Sequence, residues 1–319
     1  MSLFTGGLKL IISVNPNPAV DRTLVVPEFA LEKTIRASQV AIGVGGKAAC
    51  ASWVLGELGI PSTVLAFAAG HPGRELESLL RRKGVKTNFI WVKGETRVHF
   101  LVVCEDGSGQ STFGVDTLEI SDADVEELHR RYTASLKHAD AILIGSTLPR
   151  GRNPELYTEF VREARSRNIP VVFDCFGPFL EAALQAGPTI IKPNQVELEG
   201  LVGRKIRTLK DARKAGQEIL DKFGTMVVAT MGSQGAVAVL EGRAYQVPPP
   251  KVPKVVSTAG TGDAVLAGLT YAAAFKRPME EGLIMGFAAA GGVLQTLATA
   301  DCRREDVEKL IPTIELIPL

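Results

Sequence analysis

Short runs of apolar residues without polar alternation recur along the chain, separated by longer segments with helical spacing. Such runs are typical of parallel strands that helices cover on both faces of a sheet. We predict strands at Leu10–Val14, Thr63–Ala68, Ala141–Ile144, Val171–Phe173, Thr189–Ile191 and Met226–Ala229. The alternation of strands and helices predicts an α/β fold built on a doubly wound, mainly parallel sheet.

The helices between these strands are marked by the residues at their ends. Lys47–Leu58 and Arg74–Lys83 are each followed by a glycine, which commonly caps a helix C-terminus. Ser121, with Asp124 three residues later, predicts a capping box at the start of a helix over 122–137.

Two segments, 21–40 and 88–115, interrupt this alternation. The second contains strand-like runs separated by the turn signals Lys93-Gly94 and Asp106-Gly107. These runs are Phe89–Val92, Thr96–Cys104 and Gln110–Val115. We expect the two segments to form a small β-sheet lid over a site, beside a discontinuous core of residues 9–20, 41–87 and 116–319. The alternative is an edge extension of the main sheet.

Composition and charge argue against a nucleic-acid-binding protein and a membrane protein. The 319 residues carry a net charge of +1, so no overall field attracts nucleic acid or an anionic membrane. The longest apolar run, Leu283–Leu294, is too short to span a bilayer and predicts a buried helix. The four cysteines form no CxxC pair and no signal peptide is visible, which favours free thiols in the reducing cytoplasm.

The segment Ala259–Ala264 places two glycines before the apolar helix Val265–Phe275. Small residues let the backbone approach a ligand, and the free amides at a helix N-terminus attract an anion. Asp263 lies in the first turn, where a carboxylate can take a proton from an attacking hydroxyl. The alternative is an ordinary cap on a glycine-rich turn.

A second glycine-rich segment, Gly43–Lys47, opens the helix that runs to Leu58. It is not a Walker A loop, because Ala41 replaces the first glycine and Ala48 follows the lysine. It fits a dinucleotide-binding fingerprint only loosely, because no acidic residue follows the next strand. The remaining interpretation is a close-approach turn in which Lys47 meets an anion of the substrate.

Asn194 and Glu197 follow the predicted strand Thr189–Ile191. Their spacing fits a capping box. It also fits two oxygen ligands for Mg²⁺, or for its bound waters, near the phosphates of a nucleotide. Both interpretations stay open.

Two further residues carry weaker signals. Asp21 follows the first strand, so it would lie at the carboxyl edge of the sheet, where α/β proteins bind ligands. Arg97 lies on the predicted hairpin and is either a ligand contact or a solvated side chain. The dispersed histidines indicate neither a Ser/His/Asp set nor a zinc site.

Together these segments resemble, in the same order and over about residues 9–312, the PfkB carbohydrate kinases. The branch with 1-phosphofructokinase, tagatose-6-phosphate kinase and the minor 6-phosphofructokinase is the more similar one. The similar segments are Asn15–Thr23 (N-P-A-x-D), Gly45–Lys47, Lys93–Arg97 (K-G-E-T-R), Gly145–Gly151, Asp174–Gly177, Lys192–Leu198 (K-P-N-x-x-E-L), Thr230–Ala236 and Ala259–Asp263 (G-A-G-D, with Thr261 in place of alanine).

The resemblance implies a ribokinase-like fold and an ATP-dependent sugar kinase. Such an enzyme would phosphorylate a hydroxyl of a phosphorylated ketohexose: fructose 1-phosphate, tagatose 6-phosphate or fructose 6-phosphate. Asp263 would be the general base, and the amides of Gly260, Thr261 and Gly262 would stabilise the phosphoryl group in transit. Relatives often pair their lid sheets, which implies a homodimer.

The resemblance also implies the binding residues. ATP would contact Lys192, Thr230, Gly232 and Gly235, and Mg²⁺ would be organised by Asn194 and Glu197. The sugar would contact Asp21, Gly46, Cys50 and Thr147. Its existing phosphate would be held by Lys47, Arg97 and Arg36.

Two positions depart from the family pattern. Cys50 stands where the family has an asparagine that touches the sugar, and Ala298 stands about where relatives carry an asparagine beside the nucleotide. The identity of the sugar therefore stays open. The rival functions are a kinase of an unphosphorylated sugar or a nucleoside, a non-catalytic sensor on the same fold, and an NAD-dependent dehydrogenase suggested by the loose glycine match.

Overall fold

The computed structural model describes residues 9–319. Its strands, in chain order, are β1 (Ile11–Val14), β2 (Ala19–Val26), β3 (Gln39–Gly45), β4 (Ser62–Ala68), β5 (Lys86–Trp91), β6 (Lys93–Gly94), β7 (Arg97–Cys104), β8 (Gln110–Phe113), β9 (Leu118–Glu119), β10 (Ala141–Ile144), β11 (Val171–Phe173), β12 (Ile190–Ile191), β13 (Met226–Thr230), β14 (Ala236–Leu240), β15 (Arg243–Val247) and β16 (Ile317–Pro318). Its α-helices are α1 (Lys47–Glu57), α2 (Gly70–Arg82), α3 (Asp122–Ser135), α4 (Glu155–Ser166), α5 (Pro178–Leu184), α6 (Gln195–Val202), α7 (Leu209–Phe223), α8 (Thr261–Phe275), α9 (Met279–Val293) and α10 (Arg304–Leu310).

The main sheet has the strand order β16-β15-β14-β13-β12-β11-β10-β1-β4-β5. Its strands run parallel from β5 to β13, and β14, β15 and β16 extend it antiparallel. Successive residues of a strand point to opposite faces. Ile11 therefore joins one hydrophobic core with α1, α8 and α9, while Ile12 joins a second core with α3, α4 and α7. Helices thus cover both faces, as a doubly wound sheet requires.

The predicted helices agree with α1, α2 and α3 apart from their ends, and Ser121 and Asp124 form the expected capping box. The apolar run Leu283–Leu294 lies mostly in α9, which is buried against α8. Within residues 9–319, no helix combines the length and the apolar character that a membrane crossing would require.

A smaller sheet of four strands, in the order β3-β2-β7-β8, is formed by the segments predicted to be a lid. Its strands β2 and β3 extend past the predicted bounds, to Ala19 and Gly45. The assignment of Phe89–Val92 to the lid is wrong. That segment is β5, which pairs parallel with β4 at the edge of the main sheet and buries Phe89 and Ile90. For this run, the edge extension was the right alternative.

Candidate functional site

The predicted site residues follow the carboxyl ends of neighbouring strands of the main sheet. Asn17 follows β1, Thr147 follows β10, Asp174 follows β11, Lys192 follows β12 and Thr230 ends β13. These strands are successive neighbours, so the loops after them share one edge of the sheet, where α/β proteins bind ligands. The N-terminus of α8 reaches the same edge, since a Cβ atom on Gly262 would lie 3.2 Å from Nζ of Lys192.

The turn before α8 requires glycine at position 260. Gly260 has a φ of +85°, and a Cβ atom there would lie 2.3 Å from the main-chain nitrogen of Ala300. The helix starts without a side-chain cap, so the amides of its first turn point out of its end. The Thr261 amide donates to the Thr258 carbonyl at 3.3 Å. The geometry therefore favours the amides of Gly262 and Asp263 for binding an anion.

Asp263 occupies the first turn of α8 and is half-buried. Burial, followed by the negative charge of Asp174, raises the pKa of its carboxyl group to about 6. The nearby lysines and a hydrogen bond with the Cys50 thiol act in the opposite direction. A carboxylate whose pKa approaches neutrality is suited to general base catalysis, because it takes up a proton more readily than an ordinary aspartate.

Two lysines share the buried carboxylate of Asp174. Nζ of Lys47 lies 2.5 Å from Oδ1 of Asp174, and Nζ of Lys192 lies 2.8 Å from Oδ2. Burial opposes the charge of Asp174, but the two lysines outweigh it and lower the pKa of this carboxyl group. Asp174 thus stays ionised and holds both cations beside Asp263.

Lys47 has a second acidic partner, Glu197, with Nζ 3.0 Å from Oε1. Burial opposes the charge of Lys47, but Asp174 and Glu197 together raise its pKa. Arg97 pairs instead with Asp116, and Arg36 lies exposed on the loop between β2 and β3. The three cations predicted to hold one phosphate share no ion-pair partner among residues 9–319.

Asn194 and Glu197 form the capping box that opens α6. Oδ1 of Asn194 accepts a hydrogen bond from the Glu197 amide at 2.9 Å, and Oε2 of Glu197 accepts one from the Asn194 amide at 2.8 Å. Over residues 9–319, no cluster of His, Cys, Asp and Glu could hold a metal ion by itself. Both side chains keep oxygen lone pairs at the edge of the site. They therefore fit Mg²⁺ that takes most of its ligands from phosphates and water.

A cavity of about 690 Å³ extends from α6 to the start of α8. Its polar wall includes Thr230, Gly232, Gly235 and Thr261, which were predicted to bind the nucleotide or the transferred phosphoryl group, and Asn194, which was predicted to organise Mg²⁺. Its apolar wall is made by residues of α8, α9 and the loop before α8: Val255, Val265, Phe287, Ala290 and Leu294. The volume and the division into a polar and an apolar wall suit a purine nucleotide.

The other half of the site lies under the small sheet. Arg97 donates from Nη1 to Asp116 at 3.1 Å and from Nη2 to the carbonyl of Asn17 at 2.5 Å. The side-chain amide of Asn17, through Nδ2, donates to Asp116 at 3.1 Å and to the hydroxyl of Thr147 at 3.3 Å. This network brings Arg97 and Thr147 to one end of the sheet edge.

Cys50 is buried in α1 and is close enough to Asp21 and Asp263 to be influenced by both carboxylates. Burial raises the pKa of its thiol well above the usual value, and Asp263 and Asp21 act in the same direction. The thiol is therefore protonated, and it lies 3.2 Å from the carbonyl of Val44. Gly46, which precedes α1, has a φ of +98° and packs against the side chain of Asn15. Ala298 lies near Gly43 of β3.

Sequence reasoning assigned no role to Asp174 and His99, which both contact predicted site residues. Asp174 follows a buried strand at the carboxyl edge of the sheet, and that position was the available signal. His99 contacts the predicted sugar ligand Asp21, with Nδ1 3.1 Å from Oδ1. Its signal was its place on the same strand as Arg97, two residues away and hence on the same face.

Comparisons with known proteins agree with this geometry. The 1-phosphofructokinase of Vibrio cholerae is 31% identical over 283 residues, 88% of this chain and 88% of that protein. The tagatose-6-phosphate kinase of Staphylococcus epidermidis is 28% identical over 313 residues, 97% of this chain and 99% of that protein. The structure of phosphofructokinase-2 from Escherichia coli in complex with substrates and products superposes with a TM-score of 0.86 at 28% identity, covering 95% of this chain and 98% of that chain.

The predicted ribokinase-like α/β fold is thereby confirmed. The family model described as pfkB family carbohydrate kinase matches residues 15–306. That span holds both halves of the site, from Asn15 after β1 to the C-terminal end of the cavity. The chain therefore belongs to the pfkB family of carbohydrate kinases, enzymes that transfer a phosphoryl group to a hydroxyl group.

Proposed function

We propose that this kinase transfers the γ-phosphate of ATP to a hydroxyl of a phosphorylated ketohexose. The acceptor would be fructose 1-phosphate, tagatose 6-phosphate or fructose 6-phosphate. The observation that carries the proposal is the half-buried Asp263 at the junction of a nucleotide-sized cavity and a second half-site under the small sheet, which contains Arg97. The names of the relatives support this acceptor class.

ATP would lie along the cavity with its adenine on the apolar wall. Val255, Phe287 and Leu294 provide apolar contact area for the base. The phosphates would run past Thr230 and Gly232 toward α8, where free amides and the helix dipole favour negative charge. Lys192, held by Asp174, would lie beside the γ-phosphate.

Asp263 would act as the general base. Its ionised carboxylate takes the proton of the acceptor hydroxyl while that oxygen forms a bond to the γ-phosphorus. The bond between the γ-phosphorus and the β,γ-bridging oxygen breaks, and ADP leaves. The amides of Gly262 and Asp263, with Lys192, stabilise the negative charge on the phosphoryl group in transit. Mg²⁺, when bound near Asn194 and Glu197, would neutralise phosphate charge.

Arg97 would recognise the phosphate that the acceptor already carries. Its guanidinium group is mostly buried and faces the site through Asn17 and Asp116. A bidentate contact of this group with phosphate adds charge-assisted hydrogen bonds that a free sugar cannot form. The alternative acceptor is an unphosphorylated sugar or a nucleoside, for which Arg97 would bind only Asp116.

The test is a panel of acceptors with Mg-ATP, measured by ADP release. Fructose 1-phosphate, fructose 6-phosphate and tagatose 6-phosphate are compared with free fructose and ribose. Arg97→Ala should lower kcat/KM for the best sugar phosphate by roughly 10- to 150-fold, because a charge-assisted hydrogen bond contributes about 1.5–3 kcal/mol. It should change kcat/KM for free sugars little.

Arg243→Ala is the matched control for this test. Arg243 lies on β15, near the far edge of the main sheet, and pairs with Glu280 of α9, so it is remote from Arg97 and from the small sheet. Its loss should leave the preference among acceptors unchanged. A free sugar as the best wild-type substrate, or an equal loss for both acceptor classes in Arg97→Ala, would contradict the proposed acceptor. The absence of ADP release with every acceptor would favour a non-catalytic sensor.

Two finer statements belong to the same proposal. The enzyme would act in the cytoplasm, which agrees with the four free cysteines. It would form a homodimer through the small sheet. Support for the dimer is a row of half-exposed apolar side chains on that sheet, including Ile42, Phe100 and Phe113.

A further inference from the structure

His99 lies directly beside Asp21 in the small sheet. Strands β2 and β7 pair parallel, and their register places Asp21 opposite His99 and Ala19 opposite Arg97. Arg97 and His99 are two residues apart, so their side chains leave the same face of β7. The face that carries the proposed phosphate contact therefore carries the histidine as well.

The contact between the two side chains has a defined polarity. Nδ1 of His99 lies 3.1 Å from Oδ1 of Asp21, whose residue is only 4% exposed. An ionised carboxylate can only accept hydrogen bonds, so Nδ1 is the protonated donor. The other carboxylate oxygen, Oδ2, accepts no hydrogen bond from the residues that the structure describes. This oxygen is not fully enclosed, so it can accept a further hydrogen bond.

Two glycines leave room for this arrangement. A Cβ atom on Gly45 would lie 2.2 Å from Oδ1 of Asp21, and one on Gly114 would lie 2.3 Å from Cδ2 of His99. The main chain of β3 thus packs directly against the carboxylate, and the segment after β8 packs directly against the imidazole. Both groups are held from their outer sides as well as by each other.

We propose that His99 is a positioning residue for sugar recognition. It holds Oδ1 of Asp21 so that Oδ2 points into the cleft and accepts a hydrogen bond from a hydroxyl of the sugar. The inference rests on the proposed function, because it needs a sugar in this half of the site. His99 thus supports recognition of the hydroxyl groups of the acceptor, whereas Arg97 binds its phosphate.

The experiment compares His99→Leu with His99→Asn. The leucine variant removes the donor at similar size, and the asparagine variant keeps an amide donor near the position of Nδ1. His99→Leu should raise KM for the best sugar phosphate roughly 10-fold or more, the loss expected for one hydrogen bond to a charged group. KM for ATP should stay within about twofold, and His99→Asn should recover most of the loss.

A double-mutant cycle with Asp21→Asn tests whether His99 acts through Asp21. In the Asp21→Asn background, His99→Leu should add less than about twofold to KM, because the partner is already altered. His129→Leu is the matched control, because the half-exposed His129 lies on α3 near Glu159 and Glu163, and this variant should leave every constant unchanged. Thermal unfolding of each variant reports whether the fold is retained.

The outcomes separate the two proposals. Suppose that the wild type phosphorylates a sugar phosphate. The role of His99 is then refuted if His99→Leu leaves KM for that sugar phosphate unchanged, or raises KM for the sugar phosphate and KM for ATP by the same factor. It is also refuted if the effects of His99→Leu and Asp21→Asn on KM are fully additive. If His99→Leu does not fold, a loss of sugar affinity in His99→Asn equal to that of Asp21→Asn would also refute it. If wild type phosphorylates only a free sugar, the proposed acceptor fails, and the same KM comparison on that sugar still decides the role of His99.

Discussion

At the scale of single residues, the chemistry depends on how Asp263 is surrounded. Its carboxylate is desolvated and faces Asp174, while two lysines limit the resulting rise of its pKa. Asp263→Asn removes the proton acceptor and leaves the cavity walls intact. We expect kcat to fall by roughly 10²–10⁴, with KM for ATP little changed. Steady-state kinetics of ADP release measures both constants, and a variant within about threefold of wild-type kcat would exclude Asp263 as the base.

The same residue sets the pH dependence of the reaction. A general base works only when ionised, and burial raises the pKa of Asp263 to about 6. The value of kcat/KM for the acceptor should therefore reach its plateau above about pH 7 and fall as the pH drops through about 6. An acid limb centred near pH 4 would mean that an ordinary exposed carboxylate is responsible.

A substitution of Cys50 should shift the acid limb of the pH profile of kcat/KM. Its thiol hydrogen bond lowers the pKa of Asp263, so removing the thiol should raise that pKa further. We expect Cys50→Ala to shift the acid limb of the pH profile toward higher pH. Cys302→Ala is the matched control, because Cys302 is also buried but lies near Glu57 and Asp301. An unshifted limb in Cys50→Ala would show that the thiol does not act on Asp263.

At the scale of elements, a comparison of two of the capping boxes separates a structural role from a functional one. Asn194–Glu197 opens α6 in the site, and Ser121–Asp124 opens α3 away from it. Glu197→Gln and Asp124→Asn should each lower the free energy of unfolding by about 1 kcal/mol, measured by urea denaturation. Only Glu197→Gln should raise the Mg²⁺ concentration needed for half-maximal rate. If both variants respond to Mg²⁺ in the same way, Glu197 serves only to cap α6.

Local sequence patterns predicted single strands and helices better than they predicted which strands or residues pair with each other. The apolar runs of β1, β4, β10 and β11 are buried on both faces, so their hydrophobicity alone identified them. The run Phe89–Val92 was placed in the lid, because a two-residue turn signal after a strand cannot show which sheet that strand joins. The pairing of Lys47 with Asp174 joins residues 127 positions apart, and no local pattern encodes it.

At the scale of the whole molecule, the order of the strands explains why predicted site residues far apart in sequence converge. In a doubly wound sheet, the loops after adjacent parallel strands meet at one edge, so residues far apart in sequence converge. Asn17, Asp174 and Lys192 meet in this way. The lid side was less predictable, because the contact of His99 with Asp21 depends on the register between β2 and β7. That register follows from the fold and not from the composition of either strand.

The face of the small sheet that lies opposite Asp21 is the surface through which we expect two subunits to associate. Ile42, Phe100 and Phe113 lie in one register row, in which Arg22 of β2 stands between Ile42 and Phe100, and the three apolar side chains are 43%, 46% and 47% exposed. A row of exposed apolar side chains on a sheet face is typical of an interface, and a second copy of this chain would bury it. We expect the wild type to sediment as a dimer and Phe100→Asp to sediment as a monomer.

Ile317→Asp is the control for this prediction, because Ile317 is a similarly exposed apolar residue at the far edge of the main sheet. It should remain dimeric at the same protein concentration. Since Phe100 adjoins His99 on β7, separating the lids should also loosen the strand that carries Arg97, and KM for the sugar phosphate should rise while KM for ATP stays constant. A monomeric wild type, or a Phe100→Asp variant that remains dimeric, would exclude this face as the contact between subunits.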